Sequence, residues 1–147
     1  MKLTHIAITN WRNFAHIEFD MSSRLFVVGP NSSGKTNLLA ALRFLSDVAR
    51  LGLAATLDRW GAPERYFRSG TESASFDLTL EQDEHQIEYK LSLRKESSAN
   101  GQNKRDDVAN EVIEFPAGNR AVVDSEDLMI NGQPVSISAE RVTESDG

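Results

Sequence analysis

The stretch FVVGPNSSGKTNLLAAL, Phe26 to Leu42, decides how the chain is read. A short apolar run with two valines stops at Gly29, and a helix-forming run begins at about Gly34. Between them Gly29-Pro30-Asn31-Ser32-Ser33-Gly34-Lys35-Thr36 fits G-x-x-x-x-G-K-[ST] at every position. Each part has a physical task. Glycines allow positive φ and leave room for an oxygen-rich ligand. Successive backbone N–H groups then point into one concave nest, and the helix start adds unpaired donors and about half a positive charge. Lys35 supplies a mobile charge for β- and γ-phosphates, and the Thr36 hydroxyl suits a Mg²⁺ ion that bridges them. ATP and Mg²⁺ are the expected cofactors. The run before Gly29 predicts a fully buried strand, of the kind found at the centre of a parallel sheet.

Upstream, KLTHIAITNW and HIEFDM alternate with period two and predict two strands paired through a turn around Asn10–Phe14. Leu3, His5, Ala7 and Thr9 are expected on one face and Thr4, Ile6 and Ile8 on the other. Downstream, Leu38, Leu42, Leu45 and Ala49 recur at helical spacing, widened by Leu39, Ala41, Phe44 and Val48, which predicts a mostly buried helix from about Gly34 to Arg50 with Gly52 as its stop. Helical character continues to Trp60, where Gly61 and Pro63 break it. SFDLTLE and HQIEYKLSLR then predict a hairpin through QDEH, NEVIEF a short strand, and RAVVDSEDLMINGQPVSI strands turning at Asn131-Gly132. The expected organisation is a lobe over 1–137, with strands, loop and helix in 1–52 and mostly β-sheet in 53–137. A polar loop lies near 95–110 and a polar tail at 138–147.

Composition narrows the function classes. The chain has 147 residues and no cysteine, which excludes disulfides, thiol catalysis and cysteine-ligated zinc. No apolar run has membrane-spanning length and the N-terminus lacks a secretory core, so a cytoplasmic location and no membrane partner are expected. Residues 1–70 hold nine Lys/Arg and five Asp/Glu, a balance of +4, whereas residues 71–147 hold seven and seventeen, a balance of −10. The basic half is the half with the glycine-rich loop, as a polyanion ligand favours. Arg59, Arg65 and Arg68 flank Trp60, Tyr66 and Phe67. That cluster suits either contact with a nucleic acid or partner lobe, or packing along the helix–sheet edge with its charges in water.

MKLTHIAITNWRNFAHIEF followed by VVGPNSSGKTNLLAAL resembles the N-terminus of ATPases of the RecF, SMC and OLD type, ABC-class proteins of DNA repair, chromosome maintenance and phage defence. Gly29, Asn31, Gly34, Lys35, Thr36 and Asn37 match the loop of that family, and NWRNF (Asn10–Phe14) matches its opening element. The resemblance implies an α/β fold, a P-loop NTPase N-terminal lobe with strand–P-loop–helix and an antiparallel β-rich subdomain, an incomplete ABC-type head. It also implies that Arg12 contacts a phosphate and that Asn13 lies near the base or ribose. The residues taken alone make Trp11 and Phe14 core anchors and leave Arg12 in solvent.

Hydrolysis also needs a carboxylate for Mg²⁺ and one for water. The nearest match to the family's acid pair is AVVDSED (Ala121–Asp127), which has too few apolar residues before Asp124 and a serine after it; no catalytic residue is assigned. No LSGGQ-like signature occurs, and His5, His16 and His85 fall on strands or their edges. The expectation is a nucleotide-binding piece of a longer protein that does not turn over alone. Its partners would be its own missing C-terminal half and a second complete head. DNA is a partner for the full-length protein and is not supported for this chain, whose acidic half repels phosphates. A nucleotide-regulated interaction module that never hydrolyses, or another P-loop enzyme, is the alternative.

Overall fold

The computed structural model describes residues 1–22, 24, 26–97 and 118–136. The elements among them are β1 (Lys2–Trp11), β2 (Phe14–Asp20), α1 (Lys35–Leu51), α2 (Leu53–Trp60), a 3-10 turn (Pro63–Arg65), β3 (Ser73–Gln82), β4 (His85–Ser97), β5 (Asn119–Ile130) and β6 (Gln133–Val135). The strands form one antiparallel sheet in the order β2-β1-β3-β4-β5-β6. The fold is therefore mixed α/β. Among the described residues, no helix is long and apolar enough to cross a membrane.

One face of the sheet is covered. Ile6 and Ile8 of β1, Ala74, Phe76 and Leu78 of β3, and Leu91 and Leu93 of β4 are buried with Leu38, Ala41 and Phe44 of α1. Period two in the strands and period 3.6 in the helix thus meet in one core. At its centre Trp11 packs at ring-centroid distances of 5.2 Å from Phe44, 5.2 Å from Phe76, 5.4 Å from Tyr66 and 5.7 Å from Trp60. Tilted and edge-on aromatic pairs at this spacing add to the burial itself.

The expected hairpins form. Trp11 pairs with Phe14 across the β1–β2 turn, and Asn131 and Gly132 both take positive φ (51° and 75°) between β5 and β6, as a two-residue hairpin turn requires. Two backbone irregularities revise the face assignment in β1. Thr4 is the extra residue of a bulge between Leu3 and His5, so Leu3 pairs with Leu80 and joins the core face, away from His5. Asn10 has φ 56°, which breaks the alternation and turns Trp11 inward.

Three expectations need correction or fall outside view. The run before the loop forms no strand: Phe26, Val27 and Val28 are irregular and 80%, 43% and 88% exposed. A strand persists only where its backbone finds a ladder partner, and this run pairs with neither edge strand, β2 or β6. α1 is amphipathic and not mostly buried, with Leu39 63% exposed and Ala49 also outside. The expected strand NEVIEF, most of the polar loop and the tail lie outside the described residues.

Candidate functional site

The loop from Gly29 to Gly34 leads directly into α1, which begins at Lys35. Ser32 (φ 73°) and Gly34 (φ 96°) both lie in the left-handed region, separated by one residue, and the Ser33 N–H closes a turn onto the Pro30 carbonyl at 3.2 Å. Alternation of this kind curls backbone N–H groups toward one side. α1 has no side-chain cap and no acidic residue in its first turn. Its first N–H donors and the positive end of its dipole are thus left for an external anion. The Lys35 ammonium sits over the loop, donating to the carbonyls of Gly29 (2.5 Å) and Pro30 (2.6 Å) and to Ser33 Oγ (3.3 Å). The ammonium and the uncapped first turn of α1 therefore lie on one short stretch of chain.

Gly34 is required by contact as well as by φ, and Gly29 is closely approached by the Ser33 side chain. A Cβ on Gly34 would lie 2.8 Å from the Phe14 ring and 3.2 Å from Asn13 Nδ2. A Cβ on Gly29 would lie 2.8 Å from Ser33 Oγ. The first contact means that the β1–β2 turn is seated directly against the loop.

Asn37 fastens that seating. Its Nδ2 donates to Asn13 Oδ1 at 2.6 Å, its Oδ1 accepts from Arg12 Nη1 at 3.4 Å, and its backbone carbonyl accepts from Trp11 Nε1 at 3.1 Å. On the other side, the Arg12 N–H donates to the Tyr66 carbonyl at 2.8 Å and the Arg68 N–H to the Asn10 carbonyl at 2.8 Å. Arg12 itself has φ 49°, a costly geometry that these contacts impose. Burial, with the Glu64 charge second, pushes the Tyr66 phenol up to about 12, so it stays neutral and donates to the Gly61 carbonyl at 3.4 Å.

The structure thus brings Arg12, Asn13 and Asn37 together at the start of α1, next to Gly29, Pro30, Asn31, Ser32, Ser33, Gly34, Lys35 and Thr36. Trp11 is fully buried and Phe14 partly so, as core anchors should be, whereas Arg12 is half-buried. Asp124 is elsewhere. It is the extra residue of a bulge in β5, two strands beyond β3 in the sheet order, and it pairs with Arg94 Nε at 3.6 Å. His5 and His16 face the carboxylates of Asp20 and Glu18 on the open side of β1 and β2. Sequence reasoning missed the pairing of Asp47 with Trp60, whose Nε1 donates to Asp47 Oδ2 at 3.0 Å and ties α2 back onto α1. Its two ends lie 13 residues apart on different helices, and no local spacing links them.

Residues 25–126, most of the chain, match the family described as "AAA domain, putative AbiEii toxin, Type IV TA system". The chain is 45% identical over 73 residues to the DNA replication and repair protein RecF of Leptospira interrogans serogroup Icterohaemorrhagiae serovar copenhageni (strain Fiocruz L1-130), covering 48% of this chain and 20% of that protein. It is 33% identical over 105 residues to RecF of Leptospira biflexa serovar Patoc (strain Patoc 1 / Ames), covering 69% and 28%. Against Endonuclease GajA of Bacillus cereus (strain VD045) the figures are 45% over 47 residues, 32% of this chain and 8% of that one. The chain therefore spans between 20% and 28% of the length of these two RecF relatives. A solved structure from work on "Structural biochemistry of ATP-driven dimerization and DNA stimulated activation of SMC ATPases" superimposes with a TM-score of 0.51 at 14% identity, covering 92% of this chain and 73% of that one, which is a likeness of fold. The chain belongs to this AAA-domain family, and its fold is that of the P-loop lobe in the N-terminal region of RecF/SMC-type ATPases.

Proposed function

We propose that the chain binds ATP with Mg²⁺ as the phosphate-loop lobe of an ABC-class ATPase acting in DNA repair, chromosome maintenance or phage defence. The observation that carries this reading is the start of α1: a helix with no side-chain cap and no acid in its first turn, entered through a left-handed glycine, with an ammonium poised over the loop. Such a terminus suits phosphate oxygens. The backbone of Gly29 to Gly34 would hold the β-phosphate, Lys35 the β- and γ-oxygens, and the Thr36 hydroxyl the Mg²⁺ ion. Asn37 would keep the loop in register with the β1–β2 turn. Arg12 would supply a further cation toward the phosphates, and Asn13 a polar contact to the ribose or base. Bound Mg²⁺ supplies charge neutralisation across the β- and γ-phosphates.

The chain alone binds and does not turn over in this reading, since Asp124, its nearest match to a catalytic acid, lies at the bulge of β5 and not among the residues gathered at the start of α1. Turnover belongs to a longer protein whose remaining half supplies the acids. The exposed run Phe26–Val28 is the natural strand for that half to pair with. The lobe would comprise residues 1–137 with 138–147 as a polar tail, in a cytoplasmic protein whose complete heads pair as homodimers and meet DNA.

Titration calorimetry of Mg-ATP against the folded chain and its Lys35→Ala variant tests the proposal. Binding to the wild type that vanishes in the variant is expected. A folded wild-type chain that takes up no nucleotide would overturn it.

A further inference from the structure

Beside the loop, a cleft of about 540 Å³ runs between α1, α2 and the β1–β2 turn. Four of its lining residues are arginines: Arg12 from the turn, Arg43 from α1, Arg59 from α2 and Arg65 from the 3-10 turn. They come from four separate segments, so no single run of sequence places them together. One carboxylate, Asp47, shares the lining, and its Oδ2 is already taken by the Trp60 indole N–H. Glu64, next to Arg65 in sequence, is turned away to Asn119 Nδ2. Among the described residues none of the four arginines forms an ion pair, whereas Arg94 and Arg120 on the sheet bind Glu96 and Asp124.

Arg12 adds a second, independent observation. Its Nε is fully enclosed and has no hydrogen-bond partner, and its Nη1 reaches Asn37 only at 3.4 Å. The enclosed Nε is out of reach of a ligand in the cleft; the terminal nitrogens of the guanidinium, held by one long bond, are the part an oxyanion can meet. Planar arginine forks match phosphate oxygens in pairs. Leu39 and Trp60 give the same cleft an apolar wall, which suits a ligand carrying more than its phosphates.

We propose that this cleft is a second oxyanion site, sharing Thr36 and Arg12 with the phosphate loop and extended from it by Arg43, Arg59 and Arg65, that takes the phosphate groups of a polyphosphate or a nucleic-acid strand. The proposal stands whether or not nucleotide occupies the loop. Arg43, Arg59 and Arg65 carry the specificity, each as a fork to one phosphate. Arg12 lies at the junction of the two sites.

The test uses the full chain carrying Lys35→Ala, so that the loop is disabled. Inorganic tripolyphosphate and a fluorescent short oligothymidylate are titrated in EDTA. Both the Lys35→Ala chain and the wild type are expected to bind at least one of these probes. Adding Arg43→Gln and Arg59→Gln weakens that binding about tenfold for each arginine replaced. For the oligonucleotide, the salt dependence of log K falls by about 1.4 when two phosphates are no longer neutralised. Arg43→Lys with Arg59→Lys keeps the charge and restores part of the affinity, which separates loss of the site from loss of the fold. Binding of the oligonucleotide, displaced by tripolyphosphate, assigns the site to a nucleic-acid backbone. Binding of tripolyphosphate alone assigns it to a free nucleotide's phosphate tail. Absence of binding by both probes, or equal binding by the double glutamine variant, overturns the proposal.

Discussion

Gly34 carries two constraints at one atom. Its φ of 96° is unfavourable for any L side chain, and the space a methyl would fill is held by the Phe14 ring. Gly34→Ala is expected to destabilise the chain by roughly 1–3 kcal/mol and to weaken nucleotide binding, measured by urea denaturation and calorimetry together. A second residue-scale prediction concerns His5. Its Nδ1 lies 2.7 Å from Asp20 Oδ1 and its Nε2 3.4 Å from Glu18 Oε1. The Asp20 hydrogen bond, opposed by desolvation and aided by the Asp20, Glu18 and Asp77 charges, raises the imidazole above its ordinary 6.5. Because the folded value is the higher one, this stabilisation is complete below about 6.5 and disappears as pH rises through the folded value. His5→Gln should therefore cost more stability near pH 6 than near pH 8.5 in paired urea titrations. An equal loss at both would rule the ion pair out. The loop residues were legible in the sequence because their tasks are local, set by φ and by neighbours in the chain. The ties of Asn37 to Trp11, Arg12 and Asn13 were not, since they depend on where a turn 24 residues earlier comes to rest.

At the scale of elements, period and punctuation gave most of the order. Gly52 stops α1, Gly61 ends α2, and Asn131-Gly132 turns β5 into β6. The strand ahead of the loop is the instructive departure. Its composition is that of a buried strand, yet a strand is a property of a pair, and Phe26–Val28 finds no ladder in the described sheet. Hydrophobic content alone cannot signal that difference. Phe26→Ser is expected to change the stability of this chain by no more than about 0.5 kcal/mol, because the side chain is already in solvent. It should also reduce self-association in sedimentation, since three exposed apolar residues in sequence favour contact between copies. A loss above about 1 kcal/mol would show that the run packs against the lobe in solution.

Over the whole molecule, one aromatic cluster joins every layer. Trp11 comes from the sheet, Phe44 from α1, Trp60 from α2, Tyr66 from the connection and Phe76 from β3. Both tryptophans of the chain lie in it, so indole fluorescence reports the same packing that far-ultraviolet dichroism reports through the helices and sheet. The two signals are expected to follow one coincident unfolding transition. Phe44→Ala should move both together by about 3–5 kcal/mol. Separation of the two curves would mean that helices and sheet unfold independently. The strand order has a further consequence. Every neighbouring pair in the sheet joins consecutive strands except β1 with β3, which are separated by both helices. During synthesis β1 and β2 emerge first, but a lone hairpin is marginal in water. Trp11 acquires Phe76 only after some 65 further residues have left the ribosome. The aromatic centre behind the phosphate loop, although begun early, is therefore complete only when β3 arrives, and nascent chains stalled before that point should remain open to protease within β1 and α1.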